Sequence, residues 1–272
     1  MWAANAGGLM DFGRLISINT RFSLLLQLID AYTASAPVGN LHVALEGVSR
    51  RPLSKSDGCF VFTDLERGAY RLKITSQYYL KECRVITLQE QSSCFPALNI
   101  FLKPTFFYPY FSKATCCLAS LRKDGEKAAG IRVRGTVLKE SCAMARLAQD
   151  SGAEGETDLF LNKNGAIPVG DCMQILSKES GTTEYCRIEA INYDSSSFRL
   201  SSPLENNYRR GDCFLPVMET CSDEHGEVAL YFRPYREKCF QAVLEFFIDD
   251  HVVTREVDMV EGSVHNLGLV TL

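Results

Sequence analysis

The sequence has no surplus of positive charge, no long apolar run and none of the short motifs that usually announce chemistry. Its 29 lysines and arginines stand against 33 aspartates and glutamates, a net charge of −4. That balance leaves no electrostatic footprint for nucleic acid and no attraction to an anionic membrane. The apolar stretch at 24–29 is too short to span a bilayer, so no membrane insertion is expected. The residues ahead of it lack a basic n-region and include Asp11 and Arg14, so no signal peptide is expected and a cytoplasmic location is. No C-x-x-C pair occurs, which removes the zinc ribbon and the thioredoxin-like redox motif. H-E-x-x-H, a Gly-rich phosphate loop, a G-x-S-x-G elbow and a Cys-His-Asn arrangement are missing too. The four histidines, His42, His225, His251 and His265, are too dispersed to suggest a ligand cluster. On these grounds no catalytic residue, no metal and no cofactor is expected.

What is present is the material of a folded protein. With 272 residues, 46% hydrophobic and 23% charged, the chain has the length of about two domains and enough apolar side chains to fill them. Eleven cysteines are many. Cys116 and Cys117 are adjacent, and Cys59, Cys172, Cys186, Cys213 and Cys239 sit in or beside apolar runs, as reduced core thiols do. The hydrophobic period is two. Leu41, Val43 and Leu45 alternate with His42, Ala44 and Glu46, and Tyr70, Leu72 and Ile74 alternate with Ala69, Arg71 and Lys73, the pattern of half-buried strands. Turn signals at Asp57-Gly58, Asp124-Gly125, Asn164-Gly165, Arg210-Gly211 and His225-Gly226 predict an antiparallel sandwich or barrel. The segment 139–152, rich in Ala, Leu, Met and Arg and closed by glycine, is a helix or a loop. The acidic pairs Asp223-Glu224 and Asp249-Asp250 read as hairpin turns rather than a calcium loop.

The order of strands and turns repeats. "RFSLLLQLIDAYTASAPVGNLHVALEG" followed by "SKSDGCFVFTDLERGAYRLKI" has a counterpart in "ATCCLASLRKDGEKAAGIRVRGTV" followed by "CSDEHGEVALYF". Within the first copy, Asp57, Gly58, Phe60, Asp64, Leu65, Gly68 and Tyr70 form a D-G-x-F turn and a D-L-x-x-G-x-Y turn. On those residues the chain resembles the carboxypeptidase regulatory-like domain, a transthyretin-like (prealbumin-like) β-sandwich. The resemblance implies an all-β fold of two such sandwiches in tandem and implies no activity. Hydroxyisourate hydrolases share that fold and end in Y-R-G-S, whereas here Tyr208 to Gly211 is an internal "YRRG".

Between the halves of the second copy lie about eighty residues, too many for a structureless loop. Ile167 to Val169, Met173 with Ile175, Cys186 to Ala190, Phe198 with Leu200 and Phe214 to Val217 suggest about five short strands. The expected layout is an N-terminal arm at 1–20, a first sandwich at 21–104, a second split between 105–155 and 220–272, and an inserted small β-barrel or meander at 156–219. The phrase "RLSSPLENNYRRGD" and the overall order of units resemble accessory proteins of phage-tail-like contractile injection systems. That resemblance implies a bacterial structural component of a multiprotein particle, one possible fate of which is release from the cell.

Two local features add to this. In "FFYPYF", Phe106, Phe107, Tyr108, Tyr110 and Phe111 place five aromatics in six residues, fixed by Pro104 and Pro109, and read as an interdomain joint rather than a ligand platform. A Lys–Asn cross-link of Lys73 or Lys103 with Asn99 is set aside, because both lysines alternate with apolar residues as outward positions do. The functional expectation is a non-enzymatic structural or adaptor protein with protein partners. A cell-surface adhesin or carbohydrate-binding module is the alternative.

Overall fold

The computed structural model describes residues 21–89, 96–109, 114–194, 196–235 and 237–272, and the chain they form is all-β. In the first unit β1 (Phe22–Asp30), β3 (Leu53–Ser54), β4 (Cys59–Thr63) and β7 (Ala97–Leu102) make one sheet, in the order β3-β4-β1-β7. Strands β2 (Leu41–Leu45), β5 (Gly68–Ser76) and β6 (Glu82–Leu88) make the other, in the order β2-β5-β6. The alternating residues meet between them: Leu24, Leu26 and Leu28 of β1 pack with Val43, Leu45, Leu72, Ile74 and Ile100 in one core. Alternation fails in β4, where all five side chains are buried.

The second unit opens with β8 (Thr115–Lys123), β9 (Glu126–Lys127) and β10 (Arg132–Val137). The chain then leaves it for β11 (Ala145–Leu147), β12 (Ser151–Gly152), β13 (Asp158–Lys163), β14 (Cys172–Leu176), β15 (Thr183–Asn192), β16 (Ser197–Leu200), β17 (Tyr208–Arg209) and β18 (Cys213–Cys221). It returns through β19 (Glu227–Phe232), β20 (Cys239–Ile248), β21 (His251–Val260) and β22 (Val264–Thr271). Strand pairing reproduces the first unit. β1 lies antiparallel to β4 and parallel to β7, and β8 lies antiparallel to β19 and parallel to β22. The facing sheets β2-β5-β6 and β10-β20-β21 correspond likewise.

The repeat extends to single hydrogen bonds. The Leu28 N–H donates to Gly58 O at 2.9 Å, and the Leu121 N–H donates to Gly226 O at 2.7 Å. Both glycines have positive φ, +80° and +78°, and a Cβ on either would lie 2.6 Å from the carbonyl oxygen of that same leucine. No side chain fits there, and the left-handed backbone adds its own strain. Gly58→Val and Gly226→Val are each expected to cost about 3 kcal/mol, measured as a loss of unfolding free energy in urea.

The inserted segment closes on itself. Strands β11-β13-β16-β15-β14-β18 are hydrogen-bonded in that order, and β11 also pairs with β18, giving a six-stranded barrel around Leu159, Met173, Ile175, Ile188, Phe198 and Phe214. Its strands begin at Ala145, ahead of residue 156. The segment 139–152 is a 3-10 turn at Glu140–Cys142 followed by β11 and β12 rather than a helix. Burial of Ala145 and Leu147 in barrel and strand positions overrides their helix propensity. Residues 167–169 form no strand, since Pro168 supplies no donor, while Ile167 is buried in the barrel core. Strand β18 belongs to both bodies. It pairs with β11 and β14 in the barrel and, from Val217 to Cys221, with β10 of the second unit.

Candidate functional site

The polar residues of greatest consequence gather where the three bodies meet. Asp30, at the inward position that ends β1, is fully buried. The Tyr32 and Thr33 N–H groups donate to its Oδ1 at 2.8 and 3.1 Å, and the Tyr79 and Tyr108 hydroxyls donate to its Oδ2 at 2.7 and 2.6 Å. Burial, followed by the neighbouring carboxylate, pushes the Tyr108 hydroxyl far above the ordinary tyrosine range, so it stays a donor. The rings pack in turn. Tyr108 lies 5.7 Å from Tyr79 and 5.2 Å from Tyr231 of β19, centroid to centroid. The core of the first unit thereby continues into the second through Cys116, Ala229 and Tyr231.

Arg233, just past β19, joins all three bodies. Its Nη2 and Nε donate to Ala31 O and Tyr32 O of the first unit at 3.0 and 3.2 Å, and its Nη1 meets Asp171 Oδ2 of the barrel at 2.6 Å. Both side chains of that ion pair are 13% exposed. Burial raises the Asp171 carboxyl above its usual range, with Arg233 pulling the other way. Beside it, Gly170 has a φ of +93°, and a Cβ there would fall 2.3 Å from the Phe101 ring of β7. The barrel loop touches the first unit at a point where only glycine fits.

A second network ties the barrel to the second unit. Arg187 of β15 reaches Glu219 at 2.5 Å, Arg134 of β10 reaches Glu219 at 3.5 Å and Glu245 at 3.7 Å, and Tyr185 donates to Glu245 at 3.0 Å. Burial alone would raise the Glu219 carboxyl, but Arg187 and Arg134 outweigh it and hold the group below its ordinary value of 4.5. A depressed carboxyl contributes stability that is complete above its unfolded pKa and is lost as pH falls through the folded one. Unfolding free energy is therefore expected to decline below about pH 4.5, and Glu219→Gln to flatten part of that slope, in urea titrations run from about pH 6 down to about pH 3.

The cleft left between these groups, bordered by Tyr32, Lys103, Asp171, Arg187, Glu219 and Arg233, measures about 90 Å³. It holds a few waters and is well short of the several hundred Å³ of a ligand pocket. A larger open groove of about 580 Å³ runs between the first unit and the turns of the second, past Lys81, Lys103, Phe107, Glu224 and His225.

The turn residues read from the sequence occupy the first unit. Asp57 Oδ1 accepts the Cys59 N–H, Gly58 takes the left-handed turn and Phe60 is buried in the core. Asp64 accepts the Arg21 N–H at 2.8 Å and pairs with Arg50, which together hold its carboxyl low, the Arg21 bond foremost. Gly68 opens β5, and the Tyr70 hydroxyl donates to Glu66 O at 2.8 Å, closing the second turn.

Of the aromatic segment, Tyr108 is 2% exposed and bonded to Asp30, whereas Phe107 is 64% and Phe106 40% exposed, stacked edge to face on each other. Tyr110 and Phe111 lie outside the described residues. Lys73 and Asn99 are exposed, and Lys103 Nζ lies 3.9 Å from Cys221 Sγ. The ten described cysteines are free, six of them buried. Burial pushes the Cys116 and Cys117 thiols up to about 12. Among the described residues no His, Cys, Asp or Glu cluster is placed to hold a metal, and no helix is long and apolar enough to cross a membrane.

No family model matches the chain, and no curated protein matches it. Several solved structures are similar over most of its length. The shaft pilin SpaA of Lactobacillus rhamnosus GG, in its D295N form, is 7% identical over 91% of this chain and 96% of that one, with a TM-score of 0.23. The major pilin subunit BcpA of Bacillus cereus, in its D312A form, is 10% identical over 91% and 70%, with a TM-score of 0.25. The Bacillus anthracis TIE protein is 10% identical over 92% and 50%, with a TM-score of 0.24. Scores this low carry no argument about this chain.

Proposed function

We propose that the chain is a non-enzymatic structural protein, an adaptor that holds other proteins at a fixed spacing in a multiprotein assembly. One observation supports this above all: a single partly buried guanidinium, that of Arg233 of the second unit, binds the first unit and the barrel at once. A multi-part chain with independent duties has mobile joints by default; here the polar side chains at the joint are spent on bracing it. The small junction cleft, with Arg233 paired to Asp171 and Arg187 to Glu219, fits the same reading.

A second reading, a cell-surface adhesin or carbohydrate-binding module, is favoured by a separate observation. Phe107 stands exposed on the wall of the 580 Å³ groove, as a ring that stacks on a sugar would.

Native size fractionation of the producing cells, probed with antibody to the chain, separates the two. Elution within a large complex, with cross-links to fixed neighbours, is expected for the adaptor. Elution as free chain, together with retention on a glycan matrix that Phe107→Ala abolishes, would replace it with the adhesin.

A further inference from the structure

Strand β6 ends the sheet β2-β5-β6, and among the described residues no strand pairs with its outer side. The direction of its peptide groups follows from one bond. The Glu46 N–H donates to Arg71 O at 2.9 Å, so the peptide groups of Arg71 face β2. Arg71 stands opposite Val85, and that pair is therefore of the non-hydrogen-bonded kind, with the Val85 N–H and C=O turned away from β5. By the period of two, those of Cys83 and Thr87 turn outward as well. The register from Gly68–Leu88 to Ile74–Glu82 is unbroken, β6 contains no proline, Cys83 is exposed and Val85 is 68% exposed. Such an edge is a template for another strand.

The charges on β6 select which strand. Directly opposed residues in an antiparallel pair point to the same face, so a two-fold pairing of one edge with its own copy must centre on a residue facing itself. Centring on Glu82 or Arg84 sets like charges together. Centring on Val85 puts Arg84 against Ile86 of the second copy. Centring on Cys83 alone places Glu82 against Arg84 and Arg84 against Glu82, both opposite-charge pairs. The peptide groups of Cys83 then meet their own copies, and those of Val85 meet Lys81.

We propose that β6 is a dimerisation edge for a second copy of this chain, antiparallel, with Cys83 on the two-fold axis. The equivalent edge of the second unit, β21, shows the contrast. A two-fold register centred on any residue from 255 to 258 brings Arg255, Glu256 or Asp258 against a like charge, so charge disfavours the registers about the middle of that edge, whereas β6 has one that charge favours. The proposal deepens the adaptor reading by naming one partner. A monomeric protein would overturn it and leave the adaptor standing.

Hydrogen-bonded antiparallel pairs hold their Cα atoms about 5.5 Å apart, within the Cα range of a disulfide, and a shift of about 1 Å at this edge brings the Cβ atoms into range. Cys83 therefore reports the register covalently. A diazene oxidant takes one electron and one proton from each of the two thiols and is reduced to the hydrazine as the S–S bond forms.

The test is sedimentation equilibrium of the full chain under reducing conditions, up to several hundred micromolar, since one short edge pairing is weak. A concentration-dependent dimer is expected. Arg84→Glu should weaken it about tenfold, and Glu82→Arg with Arg84→Glu should restore it. On oxidation the covalent dimer should vanish with Cys83→Ser and persist with Cys239→Ser. A monomer at every concentration, a dimer indifferent to Arg84→Glu, a double variant no better than the single one, or cross-linking through Cys239 would each overturn the proposal.

Discussion

Replacing Asp30 with alanine is expected to lower the unfolding free energy by about 3–5 kcal/mol, more than most single substitutions cost. The side chain lost is not large, but four donors converge on it: two tyrosine hydroxyls and two backbone N–H groups. Removing the acceptor strands the two hydroxyls inside the core and leaves the two part-buried N–H groups without their partner, and each unmet buried donor costs on the order of 1–3 kcal/mol before relaxation. Tyr108→Phe removes one donor and leaves the carboxylate with three, so it should cost about 1–2 kcal/mol. Urea titration of the two variants checks the ratio. If Asp30→Ala cost no more than Tyr108→Phe, the carboxylate would not be the centre of the cluster.

Arg233→Met is expected to cost about 3–5 kcal/mol as well, for a different reason. Methionine fills much of the space of the side chain, but the largely desolvated Asp171 loses its ion-pair partner, and the carbonyls of Ala31 and Tyr32 lose their donor. Neutralising the orphan should return part of the loss, so Arg233→Met with Asp171→Leu is expected to be more stable than Arg233→Met alone. Recovery stays incomplete because the two carbonyls still lack a partner. Additive losses in that cycle would mean that the two side chains do not act as a pair.

Much of the fold is legible in the sequence because most strands bury one face. The alternation through Leu41, Val43 and Leu45, and again through Tyr70, Leu72 and Ile74, places β2 and β5, and the glycine turns at Gly58 and Gly226 mark the repeat. Legibility fails where both faces are covered or where tertiary contacts decide. β4 buries every side chain, and 139–152 has helical composition yet supplies the barrel strand β11 and the short strand β12, which pairs with β17.

The junction was half visible. Asp30 follows Leu24, Leu26 and Leu28 at the inward positions of β1, and an acid in an inward position signals a buried partner set. Nothing in the sequence marks Arg233 or Asp171, since their pairing depends on how three bodies meet. In the aromatic run nothing in the sequence distinguishes Tyr108, which turns inward to Asp30, from Phe106 and Phe107, which are exposed.

The central claim, that the first unit, the barrel and the second unit form one rigid body, is tested most directly by a distance between exposed points on the first and second units. Cys83 of β6 and Cys239 of β20 are both exposed, so spin labels attached there, with Cys94 and the half-exposed Cys172 and Cys221 replaced by serine and the labelled chain diluted into unlabelled protein, report that distance by double electron–electron resonance. A single narrow distribution is expected for the parent chain, broadening in Arg233→Met. A distribution as broad in the parent as in Arg233→Met would contradict the rigid body and with it the role of the junction.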